Sequence, residues 1–162
     1  MKANNTLRCL PLLALLLLTA CGHKAALHEE RQFAGDIWNR FTPEQFEVSI
    51  DNENNYYNID FTVAVDTARY RYDAVPVMVI LTSPAGEERQ FYGNVALTEK
   101  GRPRGEIQQG YRVATGRIRS YFSFNRPGTH RMAVSQATSQ YDLEGIHSLT
   151  VSVTRAKIDY DL

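Results

Sequence analysis

From Phe46 onward the apolar and polar positions alternate with a period of two instead of the 3.6 of a helix. Phe46, Val48 and Ile50 alternate with Glu47 and Ser49, and Asp51-Asn52-Glu53-Asn54-Asn55 then supplies turn chemistry. Tyr57, Ile59, Phe61, Val63 and Val65 alternate with Asn58, Asp60, Thr62 and Ala64, the mark of a strand with one buried face. Val75 to Thr82 is a continuous apolar run with Pro76 near its start, where a missing N–H is tolerated, and it predicts a strand buried on both faces. Ser83-Pro84-Ala85-Gly86 turns the chain into a hairpin partner over Glu87 to Val95. Residues 99–110 hold three Gly and one Pro and predict a long loop. Beyond it Ile118, Ser120, Phe122 and Phe124 alternate with Arg117, Arg119, Tyr121 and Ser123, and Arg126-Pro127-Gly128 turns the chain. His130, Met132 and Val134 share a face, and after the Tyr141 to Gly145 connection Leu149, Val151 and Val153 form the last strand. Seven or so strands without a long helix predict an all-β fold, an antiparallel β-sandwich of immunoglobulin-like or jelly-roll-like kind. It is expected over residues 37–156, with 157–162 as a tail.

The N-terminal residues follow another pattern. Lys2 and Arg8 precede an apolar run from Leu10 to Leu18, and Thr19-Ala20 leads to Cys21. A positive start, an apolar stretch too short to span a bilayer and small residues before a cut are the grammar of an export signal, here residues 1–20. Leu18-Thr19-Ala20-Cys21 resembles the bacterial lipobox, in which small side chains let the peptidase close on the scissile bond and the thiol takes a diacylglycerol group. Two acyl chains anchor a protein stably where one binds reversibly. Residues 21–36 are then a lipidated N-terminus and tether: the stretch is polar, with a short helix conceivable around Ala25 to Arg31. Gly22, where an Asp would retain an enteric lipoprotein at the inner membrane, favours the outer membrane, and the late position of Glu29 and Glu30 favours its periplasmic side.

Charge and composition narrow the function. The 162 residues carry 18 Lys+Arg against 18 Asp+Glu, and nucleic-acid tracking needs a cationic excess. Removal of residues 1–20 takes away Lys2 and Arg8 and no acid, leaving 16 basic residues against 18 acidic ones, so attachment to a membrane rests on lipid and not on charge. Of the two cysteines, Cys9 lies in the signal and Cys21 is the acylated residue, which leaves no thiol for catalysis or a disulfide.

No G-x-S-x-G, H-E-x-x-H or phosphate-binding loop is present, so no catalytic residue, metal ligand or cofactor is assigned. His130 and His147 read as satisfied structural histidines, and Asp51 to Asn55 as an Asx-rich turn in preference to a calcium loop. The segment Arg69-Tyr70-Arg71-Tyr72 joins two strands and presents Arg with Tyr, which makes it the leading candidate for a partner surface. Lys100, Arg102 and Arg104 make a small cationic loop, and Arg102 and Arg104 join the candidates. Asp66-Thr67-Ala68 resembles the short O-glycosylation acceptor of Bacteroidetes envelope proteins, with Thr67 as the acceptor.

The pattern resembles the gliding motility lipoproteins GldH of the Bacteroidetes from Ile37-Trp38 to about Arg155. The parts that carry the resemblance are the early Trp38, Phe46-Glu47-Val48, Tyr56-Tyr57, Tyr70-Arg71-Tyr72, the Ser83-Pro84-Ala85-Gly86 turn, the Gly101 to Gly110 segment, Pro127-Gly128-Thr129-His130, Gln136-Ala137 and Leu143-Glu144-Gly145-Ile146. Arg71, Glu144 and Ser148-Leu149-Thr150 depart from the usual members, which marks a divergent one. The resemblance implies a non-enzymatic accessory of the gliding and type IX secretion machinery, partnered with other envelope lipoproteins. The alternative is a carbohydrate-binding lipoprotein that uses exposed tyrosines and the 99–110 segment.

Overall fold

The computed structural model describes residues 25–157. The expected export signal, Cys21 and all of the tail but Lys157 lie outside the described residues. The strands are β1 (Leu27–Gln32), β2 (Ile37–Asn39), β3 (Glu44–Ile50), β4 (Tyr56–Val65), β5 (Ala74–Thr82), β6 (Glu88–Ala96), β7 (Thr98–Glu99), β8 (Arg102–Pro103), β9 (Glu106–Gln108), β10 (Tyr111–Ser123), β11 (Gly128–Gln136), β12 (Asp142–Glu144) and β13 (Ile146–Arg155). A five-stranded sheet in the order β1-β13-β4-β10-β9 faces a four-stranded sheet in the order β3-β11-β5-β6, and every pairing is antiparallel. This is the expected β-sandwich. Two ribbons, β2 with β12 and β7 with β8, are added to it.

The alternation decides which side chains meet. Ile59, Phe61, Val63 and Val65 of β4 and Leu149, Val151 and Val153 of β13 are buried in one cluster with Val48, Val77, Val79, Leu81, Met132 and Val134 of the other sheet. Each such side chain contributes about 1.5–3 kcal/mol by leaving water. Trp38 is 1% exposed and stacks on Phe33 at 5.0 Å between ring centroids, so the β2–β12 ribbon closes one end of this core.

Four expectations are corrected. Residues 27–36, read as tether with a conceivable helix, belong to the fold: β1 pairs with β13 from Leu27↔Val153 to Gln32↔Ser148, and a 3-10 turn follows at Ala34–Asp36. Only Leu27 of β1 is buried, so the strand carries no apolar stripe, as suits an edge strand guarded by charge. Arg31 closes that edge, bonded to Glu29 at 2.8 Å and to the Gln45 carbonyl at 3.0 Å, with its guanidinium 4.6 Å from the Phe46 ring.

The 99–110 loop is two small hairpins. Lys100-Gly101 links β7 to β8 and Gln109-Gly110 links β9 to β10, each a two-residue turn with positive φ at both positions (50° and 73°, 51° and 88°). The connection from Tyr141 to Gly145 contains β12. Finally, β5 is buried on one face only, because Pro76, Met78 and Ile80 lie half-buried on the outer side of the sheet.

Candidate functional site

Strand direction divides the loops between two poles. Leu27 pairs with Val153, which pairs with Ile59, so the N-terminal end of the described chain lies at the same end as the 51–55 turn. Gly128 pairs with Ile50, and a Cβ on Gly128 would lie 3.0 Å from Pro84, which puts the 83–87 and 124–128 turns at that pole too. The opposite pole gathers residues 33–43, 66–73, 97–110 and 137–145. Backbone bonds tie these segments together: Gly145 N–H to Asp36 O at 2.8 Å, Asp66 N–H to Gly145 O at 2.9 Å, Leu97 N–H to Asp73 O at 2.8 Å and Arg40 N–H to Tyr141 O at 2.9 Å. All seven non-lipid candidate residues lie at this second pole.

Asp66 builds the turn that carries them. Its carboxylate accepts the Ala68 N–H at 2.8 Å, and its carbonyl accepts the N–H groups of Arg69 and Tyr70 at 3.1 and 2.8 Å. Thr67 is exposed at the crown of this turn. Tyr70 is only 5% exposed and donates its hydroxyl to the Ala74 carbonyl at 2.7 Å. Burial, with a smaller contribution from Tyr72, pushes its phenol well above the ordinary value. Tyr70 is therefore a core residue and not a partner-surface residue, because the turn directs its ring inward against Tyr72, 5.4 Å away between centroids.

Arg69 serves the fold as well. It donates to the Gly35 carbonyl at 3.0 Å and lies 3.7 Å from both Asp36 and Glu144. Arg71 and Tyr72 remain on the surface: Tyr72 is 54% exposed, and its hydroxyl accepts a bond from Gln140 at 3.0 Å. Arg102 and Arg104 are exposed on the β7–β8 hairpin and just after it, and the Asp73 carbonyl ties that hairpin to the Arg71-Tyr72 segment by accepting the N–H groups of Leu97 at 2.8 Å and Thr98 at 3.2 Å. An exposed pair that the sequence reading missed, Phe41 and Tyr141, sits at the same pole with ring centroids 5.5 Å apart. The available signal was Phe41 in Arg40-Phe41-Thr42-Pro43, an aromatic outside any alternating run.

Asp36 is the other feature that sequence reasoning missed. Its φ of 57° is left-handed, a conformation Asp tolerates better than most residues. One carboxylate oxygen lies 2.8 Å from Nδ1 of His147 and the other accepts the Tyr111 hydroxyl at 3.4 Å. Tyr111 and His147 stack at 4.0 Å and 12°. Desolvation first, and then the Asp36 charge, push the Tyr111 phenol up. The Asp36 carboxylate thus fixes the orientation of both the His147 and Tyr111 rings.

The remaining candidates are structural. His130 is fully buried, with Nε2 3.0 Å from the Arg126 carbonyl and Nδ1 without a partner, so the expected satisfaction holds for one nitrogen only. In the 51–55 turn Asn52 accepts the Asn54 N–H at 2.9 Å, the bond of an Asx turn, and Asn55 accepts a bond from Arg155.

No curated protein and no solved structure matches the chain. Among family models, GldH lipoprotein matches residues 25–153, a span that begins two residues before β1 and ends in β13. The chain belongs to the GldH lipoprotein family.

Proposed function

We propose that this protein is a non-enzymatic, lipid-anchored accessory of the gliding and type IX secretion machinery, held at the periplasmic side of the outer membrane through Cys21. Its family makes it a lipoprotein of the gliding-motility kind. The observation that carries the finer reading is the division between poles. Residues 22–25 can span at most about 14 Å when extended. A lipid on Cys21 would therefore hold the 51–55 end of the sandwich near the bilayer. The ten residues of β4 span about 33 Å, so Arg71, Tyr72, Phe41 and Tyr141 would face away from the lipid. Exposed aromatics beside Arg are what a protein partner's hot spot uses, and other envelope lipoproteins are the partners proposed.

Three experiments test this. Cys21→Ser should move the protein out of the membrane fraction, and unchanged fractionation would remove the anchor. An Arg71→Ala/Tyr72→Ala variant should fold normally, lose co-purification of envelope lipoproteins and reproduce the spreading or secretion defect of a deletion. A deletion strain with normal spreading and normal type IX export would sink the accessory role.

A further inference from the structure

A groove of about 300 Å³ lies on the outer face of the five-stranded sheet, in the lower part of the range that holds small ligands. Glu30, Gln32, Gln108, Gln109 and Thr150 project into it. Among the described residues none of these five side chains is bonded to another residue. Its wall is the stacked Tyr111–His147 pair, which Asp36 holds through both side chains.

We propose that this groove binds a neutral glycan. The lining contains no Lys or Arg, which disfavours phosphate and other anions. Polar surface predominates in its lining, which disfavours an acyl chain or a hydrophobic peptide. The floor of the groove offers no free backbone for an added peptide strand, since β13, β4 and β10 are each paired on both sides; β1 and β9, at its rims, are the edge strands. What remains are amides that both donate and accept, a hydroxyl and one carboxylate, beside a rigid aromatic face. Sugar hydroxyls match the first set, and the C–H face of a pyranose ring matches the second. The Asp36 network fixes the wall before any ligand arrives, which lowers the ordering cost of binding.

The site is separate from Arg71 and Tyr72, so the two readings can be tested independently. Full-length lipidated protein in detergent micelles is run through native gels containing laminarin, xylan, galactomannan or dextran, and sedimented with insoluble cellulose. Retention by at least one of these five is expected. A Glu30→Ala/Gln108→Ala variant, altered only at exposed side chains, should weaken that retention at least tenfold with unchanged Tm. The Arg71→Ala/Tyr72→Ala variant should retain it in full. No retention on any of the five, or retention equal in wild type and the Glu30/Gln108 variant, overturns the proposal.

Discussion

Asp36 Oδ1 lies 2.8 Å from His147 Nδ1, although the two residues stand 111 positions apart. The contact fastens the turn after β1 to the first residues of β13, and the same carboxylate reaches Tyr111 and Arg69. Four segments thus share one acidic group whose side chain is 19% exposed.

Removal of that group has a measurable cost. Hydrogen bonds to charged groups contribute about 1.5–3 kcal/mol, and Asp36→Ala should lower the unfolding free energy in urea by an amount in that range. Asp36→Asn keeps an acceptor and tolerates left-handed φ, so its loss should be clearly smaller.

Gly145 has a φ of +83°, and a Cβ there would lie 2.7 Å from the Tyr70 backbone nitrogen. Both facts penalise a side chain, since left-handed backbone alone costs about 1–2 kcal/mol for an L residue. Gly145→Ala should destabilise by more than that, with loss of the Trp38 fluorescence environment as the readout, Trp38 being the single tryptophan.

Tyr70 makes stability depend on alkaline pH. Its folded phenol is raised above the ordinary value of 10.0, so the stabilisation is present below pH 10 and is lost as pH rises toward the folded value. Urea midpoints between pH 9 and pH 11.5 should fall more steeply for wild type than for Tyr70→Phe. At neutral pH Tyr70→Phe should be the less stable protein by about 1 kcal/mol, because it lacks the bond to Ala74.

The first residue of the β9–β10 turn is Gln109 at φ 51°, where Asn-Gly would suit a turn with two left-handed residues better than Gln-Gly. Gln109→Asn should raise Tm slightly, equivalent to about 0.5 kcal/mol. A lower Tm would contradict the turn geometry.

A chain beginning at residue 37 should fail to fold cooperatively, whereas one beginning at residue 25 should fold. Without β1 the edge of β13 is unpaired and Phe46 loses the Arg31 cover. Circular dichroism melts of the two chains decide it.

The alternating runs at 46–50, 57–65 and 149–153 made the sandwich legible in the sequence, because each strand there buries one face and period two records that burial. At 118–124 the alternation breaks, because β10 is bulged between Arg117 and Phe122 and Ser120 is exposed. The same logic concealed β1. An edge strand whose inward positions are Glu29 and Arg31 has no apolar stripe to read, and a tether was the natural expectation. The hairpins at 98–111 were concealed for a different reason: their glycines mark turns but do not say that two residues suffice.

The candidate pole was half legible. Local composition marked Arg71 and Tyr72 as surface, and they are; it marked Tyr70 alike, and only the direction of the Asp66 turn sends that ring into the core.

What the sequence determined by itself is what nearest-neighbour chemistry encodes: the strand period, the Asx turns, the lipobox pattern at Cys21 and the family motifs. What only the tertiary structure decided is what distant segments share. The Asp36–His147–Tyr111 group, the burial of Tyr70 and the groove over β13, β4 and β10 each need residues from strands or turns far apart in the chain. Their partners are set by strand register and sheet order, which no local pattern carries.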